Sequence, residues 1–513
     1  MKRITIFFLA IVLFGRINAQ DSYLTLNIND AKTTISKHIY GHFSEHLGRC
    51  IYDGFWVDPK LNVPKKDRIR LDVVDALKKI NIPNLRWPGG CFADEYHWRD
   101  GIGDRSKRPK MVNTHWGGVT EDNSFGTHEF LQLCDLLGTE PYIAGNVGSG
   151  TVEEMSKWVE YLNSDGDSPM TQLRKQNGRD KPWKVSFWGV GNESWGCGGN
   201  MTAAYYANEY RRYATFARNY PSAPLKKIAG GANSADYNWT EVLMKNIPHN
   251  LMWGISLHHY TIPTGIWGKK GAATHFDEAE YFNTMKNCLF MDTLVSKHIA
   301  IMDKYDRNKR VALVVDEWGI WTDVEPGTNP GFLYQQNSLR DALIAGTTLN
   351  IFNNHSDRVR MANLAQTVNV LQAIILTKGN EMLLTPTYYV FDMYKNHMDA
   401  KWIPFTLSSP DYVNNNSKLP AINVSASIDS SGKVNITLVN IDSKKDITIH
   451  ADLNDKSFNK VSGRILTSGS YTDINTFENK NKVIPASFTG ATISNGKIEV
   501  KIPKLSVVSL QLY

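Results

Sequence analysis

Glu193 and Glu317 each stand directly behind an apolar, β-rich run, in Phe187-Trp188-Gly189-Val190-Gly191-Asn192-Glu193 and in Val311-Ala312-Leu313-Val314-Val315-Asp316-Glu317. A carboxylate at the end of such a run is costly to bury unless it is paired or used. Taken singly, either is most simply a solvated or salt-bridged loop residue. Two of them on separate strands facing one pocket are what glycoside hydrolysis requires, one to protonate the leaving oxygen and one to attack or to activate water. Other candidate strand ends carry Glu45, Arg86, Asn192, His258 with Tyr260, and Gln366. Trp87, Trp98, Trp116, Trp195, Trp318 and Trp321 lie in the same stretches and can wall a sugar site, although a single Trp more often packs a core.

These groups meet only if the strand ends converge. Short β-rich runs recur at 39–43, 84–87, 141–144, 185–190, 227–230, 254–257, 311–315 and 359–364. Helical spacing separates most of them, at 67–80, 127–137, 153–161, 203–219 and 332–347. Strands alternating with helices in this way predict an α/β fold, a (β/α)8 TIM barrel, whose chemistry sits where strands give way to loops. After about Tyr388 the texture turns to alternating runs such as 434–439 and 498–502, parted by turn signals such as Ser430-Ser431-Gly432. That pattern predicts a C-terminal β-sandwich, which residues 22–37, similar in texture, can join as an extra strand. The expected divisions are a leader at 1–19, an N-terminal strand segment at 20–38, the barrel at 39–387 and the sandwich at 388–513.

The leader is read from Lys2 and Arg3, the apolar run 4–14, and Ile17-Asn18-Ala19 before Gln20, a signal-peptide pattern too short to span a bilayer. It predicts export, to the periplasm or the exterior. Taking Lys2, Arg3 and Arg16 from the 57 basic residues leaves 54 against 51 acidic, a net charge of +3. So small an excess argues against nucleic-acid and membrane partners. With 14 Trp, 22 Tyr and 20 Phe the chain is rich in rings suited to flat ligands such as sugars. Its 5 Cys (Cys50, Cys91, Cys134, Cys197, Cys288) form no metal-binding pattern, and their odd number leaves at least one thiol free within the chain.

Six stretches together carry a resemblance: "IYGHFSEHLGRCIYDGFW" (39–56), "NLRWPGGCFADEYHWRDGIG" (84–103), "FWGVGNESWGCGG" (187–199), "SLHHY" (256–260), "VVDEWGIW" (314–321) and "RVRMANLAQTVNVLQA" (358–373). In content and order they resemble glycoside hydrolase family 51, the α-L-arabinofuranosidases, and "LPAINVSAS" (419–427) is similar to that family's C-terminal domain. The resemblance implies a retaining enzyme with Glu193 as acid/base on the fourth strand and Glu317 as nucleophile on the seventh. It implies that Asn192 holds the sugar 2-hydroxyl, that Arg86 pairs with Glu317, and that Glu45, Tyr260 and Gln366 bind furanose hydroxyls. Trp116 would wall the subsite and His258 would orient one of the glutamates. Cys91 stands where many members have Asn; a thiol donates only weakly, so either that sugar contact is altered or the position tolerates both types. The resemblance implies no cofactor and no metal, an arabinose-containing polysaccharide or oligosaccharide as partner, and is in keeping with a homo-oligomer. Competing readings are a β-xylosidase or endoglucanase on the same barrel, a carbohydrate-binding protein without turnover, and a metal-dependent hydrolase using His258 and His259. The last is disfavoured, because neighbours on a strand point to opposite faces.

Overall fold

The computed structural model describes residues 20–513 apart from 222, 455, 457 and 495; the expected leader lies outside the described residues. Eight parallel strands close into a barrel: β1 Gly41–Phe43, β2 Asn84–Trp87, β3 Glu140–Gly145, β4 Phe187–Val190, β5 Lys226–Asn233, β6 Gly254–Thr261, β7 Ala312–Ile320 and β8 Val359–Ala365. All eight fall on the expected runs. β7 is buried along its whole length, as a continuous apolar run in a parallel sheet must be. Tyr142, Phe187, Ile228, Ala312, Val314 and Met361, drawn from five strands, pack together as an interior layer beneath the strand ends.

The β6/β7 ladder is irregular in a way that bears on the site. Ser256 pairs with Val314, but His258 pairs with Glu317, so β7 carries one residue more than β6 across this stretch. Such a bulge breaks the strict alternation of side chains. Asp316 and Glu317, neighbours in sequence, therefore both reach His258.

The helix expected at 332–347 runs instead over Leu339–Asn354. Residues Pro330–Phe332 form a 3-10 turn, and the helix starts where the Ser338 backbone N–H donates to Asp341 Oδ2 at 2.8 Å, closing a capping box. Nearly every residue of it is buried, because it lies between the barrel and the C-terminal sheets. Helices at Pro169–Gln176, Tyr237–Asn246, Glu278–Tyr305 and Pro386–Tyr394 complete the α-helical set among the described residues and carry no expectation from sequence.

The sandwich is built from two sheets. Gln20–Leu26 lies between Phe405–Ser408 and Ile447–Asp452 in a five-stranded sheet that continues with Lys497–Ile502 and Ala491–Ser494. The six-stranded sheet runs Lys401–Trp402, Ile422–Ile428, Val434–Asn440, Ser506–Leu512, Val461–Thr467, Ala486–Ser487. Although its sequence alternates, Val434–Asn440 is buried at every position. The polar face does not meet water: Thr437 Oγ1 donates to Asn350 Oδ1 of the Leu339–Asn354 helix at 2.7 Å and Asn435 Nδ2 donates to the Asn396 carbonyl. Among the described residues no helix is long and apolar enough to cross a membrane.

Candidate active site

The strand ends open into a cavity of about 630 Å³. Glu45, Cys91, Trp116, Glu193, His258, Tyr260, Glu317 and Gln366 all line it, and Arg86 and Asn192 lie buried just behind. Thus Glu45, Arg86, Cys91, Trp116, Asn192, Glu193, His258, Tyr260, Glu317 and Gln366 are brought to one place, and the differences lie in what each one touches.

Glu317 is clamped at both oxygens. Arg86 Nη1 donates to Oε1 at 2.8 Å and the Tyr260 hydroxyl donates to Oε2 at 2.9 Å. Arg86 also donates to Asn192 Oδ1 at 2.7 Å. One guanidinium thus fixes two groups from different strand ends, which its planar fork suits. Carboxylate oxygens of Glu193 and Glu317 and a ring nitrogen of His258 lie within 4.8 Å of one another.

His258 is surrounded by acids: Nδ1 lies 2.9 Å from Glu193 Oε1 and 3.6 Å from Glu317 Oε2, and Nε2 lies 3.2 Å from Asp316 Oδ1. Burial opposes charge on the ring, but Glu317, Asp316 and Glu193 outweigh it and raise the imidazole to about 10. An imidazolium donates through both nitrogens and has no lone pair to offer an ion. His259 turns elsewhere, with Nδ1 2.9 Å from Ser234 Oγ, so the two histidines share no point of convergence. Asp316 Oδ2 accepts from the Tyr142 hydroxyl at 2.7 Å. Burial would raise this carboxyl, but Arg86 and His258 hold it below its usual value.

Glu193 sits with φ at +41°, a left-handed conformation that a residue other than glycine adopts only when its surroundings impose it. Burial raises its pKa, only partly offset by the His258 hydrogen bond, and the neighbouring Glu317 charge raises it further. Its Oε2 accepts from no N–H or O–H among the described residues; its near neighbour there is Cys197 Sγ at 3.6 Å.

Glu45 accepts from the backbone of Gly90 at 2.9 Å and Phe92 at 3.3 Å, from Trp116 Nε1 at 2.9 Å and from Gln366 Nε2 at 3.0 Å. Burial, with Glu317 nearby, pushes it up to about 7. The other end of the Gln366 amide, Oε1, is buried with no protein partner, an acceptor left for a hydroxyl donor.

Cys91 corrects the sequence reading. It is bonded to Cys197, which stands 106 residues away, so it has no thiol hydrogen to give a sugar. Spacing along the chain carries no trace of this pairing, because it joins loops from different strands. Cys50, Cys134 and Cys288 are free and buried. The tryptophans divide: Trp87, Trp98 and Trp318 are fully buried core residues, whereas Trp116, Trp195 and Trp321 line the cavity. Sequence reasoning missed Asp94, whose Oδ2 accepts from the Asn192 backbone at 3.1 Å while Oδ1 accepts from Val147 and Gly148. It also missed Trp267 and Phe290, which line the cavity from a loop and a helix with no reactive group nearby in sequence to mark them.

Comparison with known proteins places this geometry. Residues 76–280 match the family model of the α-L-arabinofuranosidase 1 domain, and residues 316–506 match that of the α-L-arabinofuranosidase C-terminal domain. The chain is 54% identical over 490 residues, 95% of each chain, to an intracellular exo-α-L-arabinofuranosidase of Bacteroides ovatus. It is 32% identical to the probable α-L-arabinofuranosidase C of Aspergillus niger, over 86% of this chain and 88% of that one. Among solved structures it superposes on the family 51 arabinofuranosidase of Xanthomonas axonopodis pv. citri with a TM-score of 0.95 and 48% identity, covering 97% of this chain and 100% of that one. An arabinose complex of the Thermotoga maritima α-L-arabinofuranosidase gives 0.84 and 31%, over 96% and 99%. The expected export to the periplasm or exterior is corrected by the Bacteroides ovatus relative, whose name places it inside the cell. The export reading rested on two cations, a short apolar run and the small-residue stretch Ile17-Asn18-Ala19, a local sequence pattern that involves no packed structure. Two domain models spread over most of the chain, and a relative more than half identical along nearly all of it, support one assignment: the chain belongs to glycoside hydrolase family 51, the α-L-arabinofuranosidases.

Proposed function

We propose that the protein releases terminal α-L-arabinofuranosyl residues from arabinan, arabinoxylan or their oligosaccharides, in exo fashion and with retention of configuration. The observation that carries this reading is the approach of the Glu193 and Glu317 carboxylates to within 4.8 Å. Double displacement uses carboxyls about 5 Å apart, whereas an inverting pair stands farther apart to admit water. Glu317, paired with Arg86 at 2.8 Å, attacks the anomeric carbon, and Glu193, whose pKa burial and the Glu317 charge raise, gives its proton to the leaving oxygen. Once the glycosyl-enzyme forms, the Glu317 charge is gone while His258 remains. The Glu193 pKa then falls, and the same group takes a proton from the incoming water. Asn192, fixed by Arg86, binds the 2-hydroxyl; Glu45, Tyr260 and Gln366 bind the rest of the furanose, and Trp116 walls it. We also propose that the chain divides into residues 20–38, which complete the sandwich, the catalytic barrel 39–387 and the sandwich 388–513.

The test uses an activated aryl arabinofuranoside and added azide. Glu193→Ala still forms the glycosyl-enzyme but lacks a base to hydrolyse it, so azide should restore turnover and give the glycosyl azide of retained configuration. Glu317→Ala has lost the nucleophile and should be nearly inactive; any azide product should be inverted. The opposite pair of configurations would exchange the two roles. An inverted sugar released by the unaltered enzyme would exclude double displacement.

A further inference from the structure

The cavity is larger than the sugar it must cleave. A pentose of ten heavy atoms occupies on the order of 200–300 Å³, taking about the liquid share of a water molecule per heavy atom as an upper figure. The cavity holds about 630 Å³. On the side of Glu45 and Trp116 it is closed by the hydrogen bonds already described. Its lining also includes Trp195, Trp267, Phe290, Trp321, Asn287 and Ser234, which take no part in those hydrogen bonds.

Trp267 stands out there. The residue is 61% exposed, although large rings on a protein surface usually find cover. The ring is nevertheless held in place. It meets Trp321 edge to face at 4.9 Å and 69°, and Trp321 in turn meets Tyr260 at 5.1 Å and 80°. Lys270 Nζ lies 3.8 Å from the Trp267 centroid and 4.9 Å from that of Trp321. The loop is tied to the Glu278–Tyr305 helix through Asn287, whose Nδ2 donates to the Ile262 carbonyl at 2.8 Å. An aromatic path therefore runs from the hydroxyl on Glu317, through Trp321, to a ring with a cation on one side and open space on another.

We infer that Trp267 is the sugar-stacking floor of a leaving-group subsite, which holds the saccharide from which arabinose is cut. This rests on the function proposed above. An exo-acting site leaves the departing portion of the substrate only this direction to occupy. A ring face offers C–H contacts that any neutral pyranose or furanose satisfies. The polar groups beside these rings include Asn233, Ser234, His259 and Asn287, and the cation Lys270 lies against the two tryptophans.

The experiment compares two substrates that share arabinose and differ in what leaves. α-L-Arabinofuranosyl fluoride releases only an ion and uses no leaving-group subsite; an arabinofuranosyl-substituted xylo-oligosaccharide uses it fully. In Trp267→Ala, kcat/KM on the oligosaccharide should fall roughly ten-fold or more, mostly through KM, while kcat/KM on the fluoride stays within about two-fold. Trp267→Phe, which keeps a ring, should recover most of the loss. An oligosaccharide value equal to that of the unaltered enzyme, or an equal fall on both substrates, would overturn the assignment. If the unaltered enzyme cleaves neither substrate, the proposed function fails and this inference with it. Cleavage of both by the unaltered enzyme, with no effect of Trp267→Ala, removes this inference alone.

Discussion

A Cβ built on Gly90 would lie 2.8 Å from Glu317 Oε1 and 3.4 Å from Asn192 Nδ2. The glycine in Pro-Gly-Gly is therefore required by what stands opposite, and Gly90→Ala should displace the nucleophile without unfolding the barrel. A misplacement of this kind costs about 100-fold in rate. We expect that loss in kcat on an aryl arabinofuranoside, with an unchanged melting temperature; a loss of fold instead would show that the contact is structural. His258 gives a second prediction at this scale. It lowers the Glu193 pKa by hydrogen bond and charge, so His258→Gln should let that pKa rise. The step that needs protonated Glu193 then persists to higher pH, and the alkaline limb of the rate profile should move upward. A downward move would refute the placement of charge on this ring. Glu193 and Glu317 could be picked out as a pair because each follows an apolar run, whereas a role for Arg86, which lies inside its strand, came only with the family resemblance. Asp94, Trp267 and the partner of Cys91 could not be picked out, since an acid binding backbone amides, an exposed loop ring and a cross-link between distant loops acquire meaning only in three dimensions.

At the level of elements, the eight barrel strands could be read because a buried parallel strand is an apolar run flanked by turn residues. The bulge between β6 and β7 could not, as one extra residue changes register without changing composition. The displaced Leu339–Asn354 helix has a similar cause. Its stretch is buried on nearly every side, polar residues included, so periodicity gave no edge, and the start is set by the Ser338 and Asp341 capping box. The N-terminal strand yields a prediction. Leu26 is fully buried in a strand that has partners on both sides. Leu26→Ala should cost about 2–5 kcal/mol, read as a lower midpoint in denaturant, with kcat on small substrates unchanged below the transition. A stable variant would mean that the sandwich core closes over the gap.

For the whole molecule, the junction between barrel and sandwich sets a response to acid. His397 lies buried there, with Nδ1 2.7 Å from Ser427 Oγ and Nε2 3.0 Å from Thr437 Oγ1. Burial lowers it to about 3, and His42, buried in the barrel wall, is likewise lowered to about 3. In the unfolded chain both take up a proton near pH 6.5, whereas the native state resists until about 3. Between those values the unfolded state binds more protons, so stability falls as pH falls, by about 1.4 kcal/mol per pH unit for each group. Thermal unfolding should therefore occur at progressively lower temperature from about pH 6 to pH 4, and His397→Gln should flatten part of that slope. An unaltered slope would place the acid sensitivity elsewhere. That the polar half of Val434–Asn440 forms a seam with the barrel helices, and not a wet surface, is also why the alternation in its sequence foretold the strand but not its second neighbour.

The Cys91–Cys197 bond has a topological consequence. It closes a ring of chain containing β3, β4 and the helices Thr127–Leu137, Val152–Asn163 and Pro169–Gln176. Within that ring, residues 165–169 and 175–182 include several exposed positions that a protease can reach. A single cut there leaves two pieces that still travel as one molecule, since each carries one of the joined cysteines. Such nicked enzyme runs as an intact chain on a gel until a thiol is added, and then separates. The two glutamates fall on the same side of every such cut, so the larger piece keeps both, while Glu45 and Arg86 remain with the smaller one and stay attached only through sulfur.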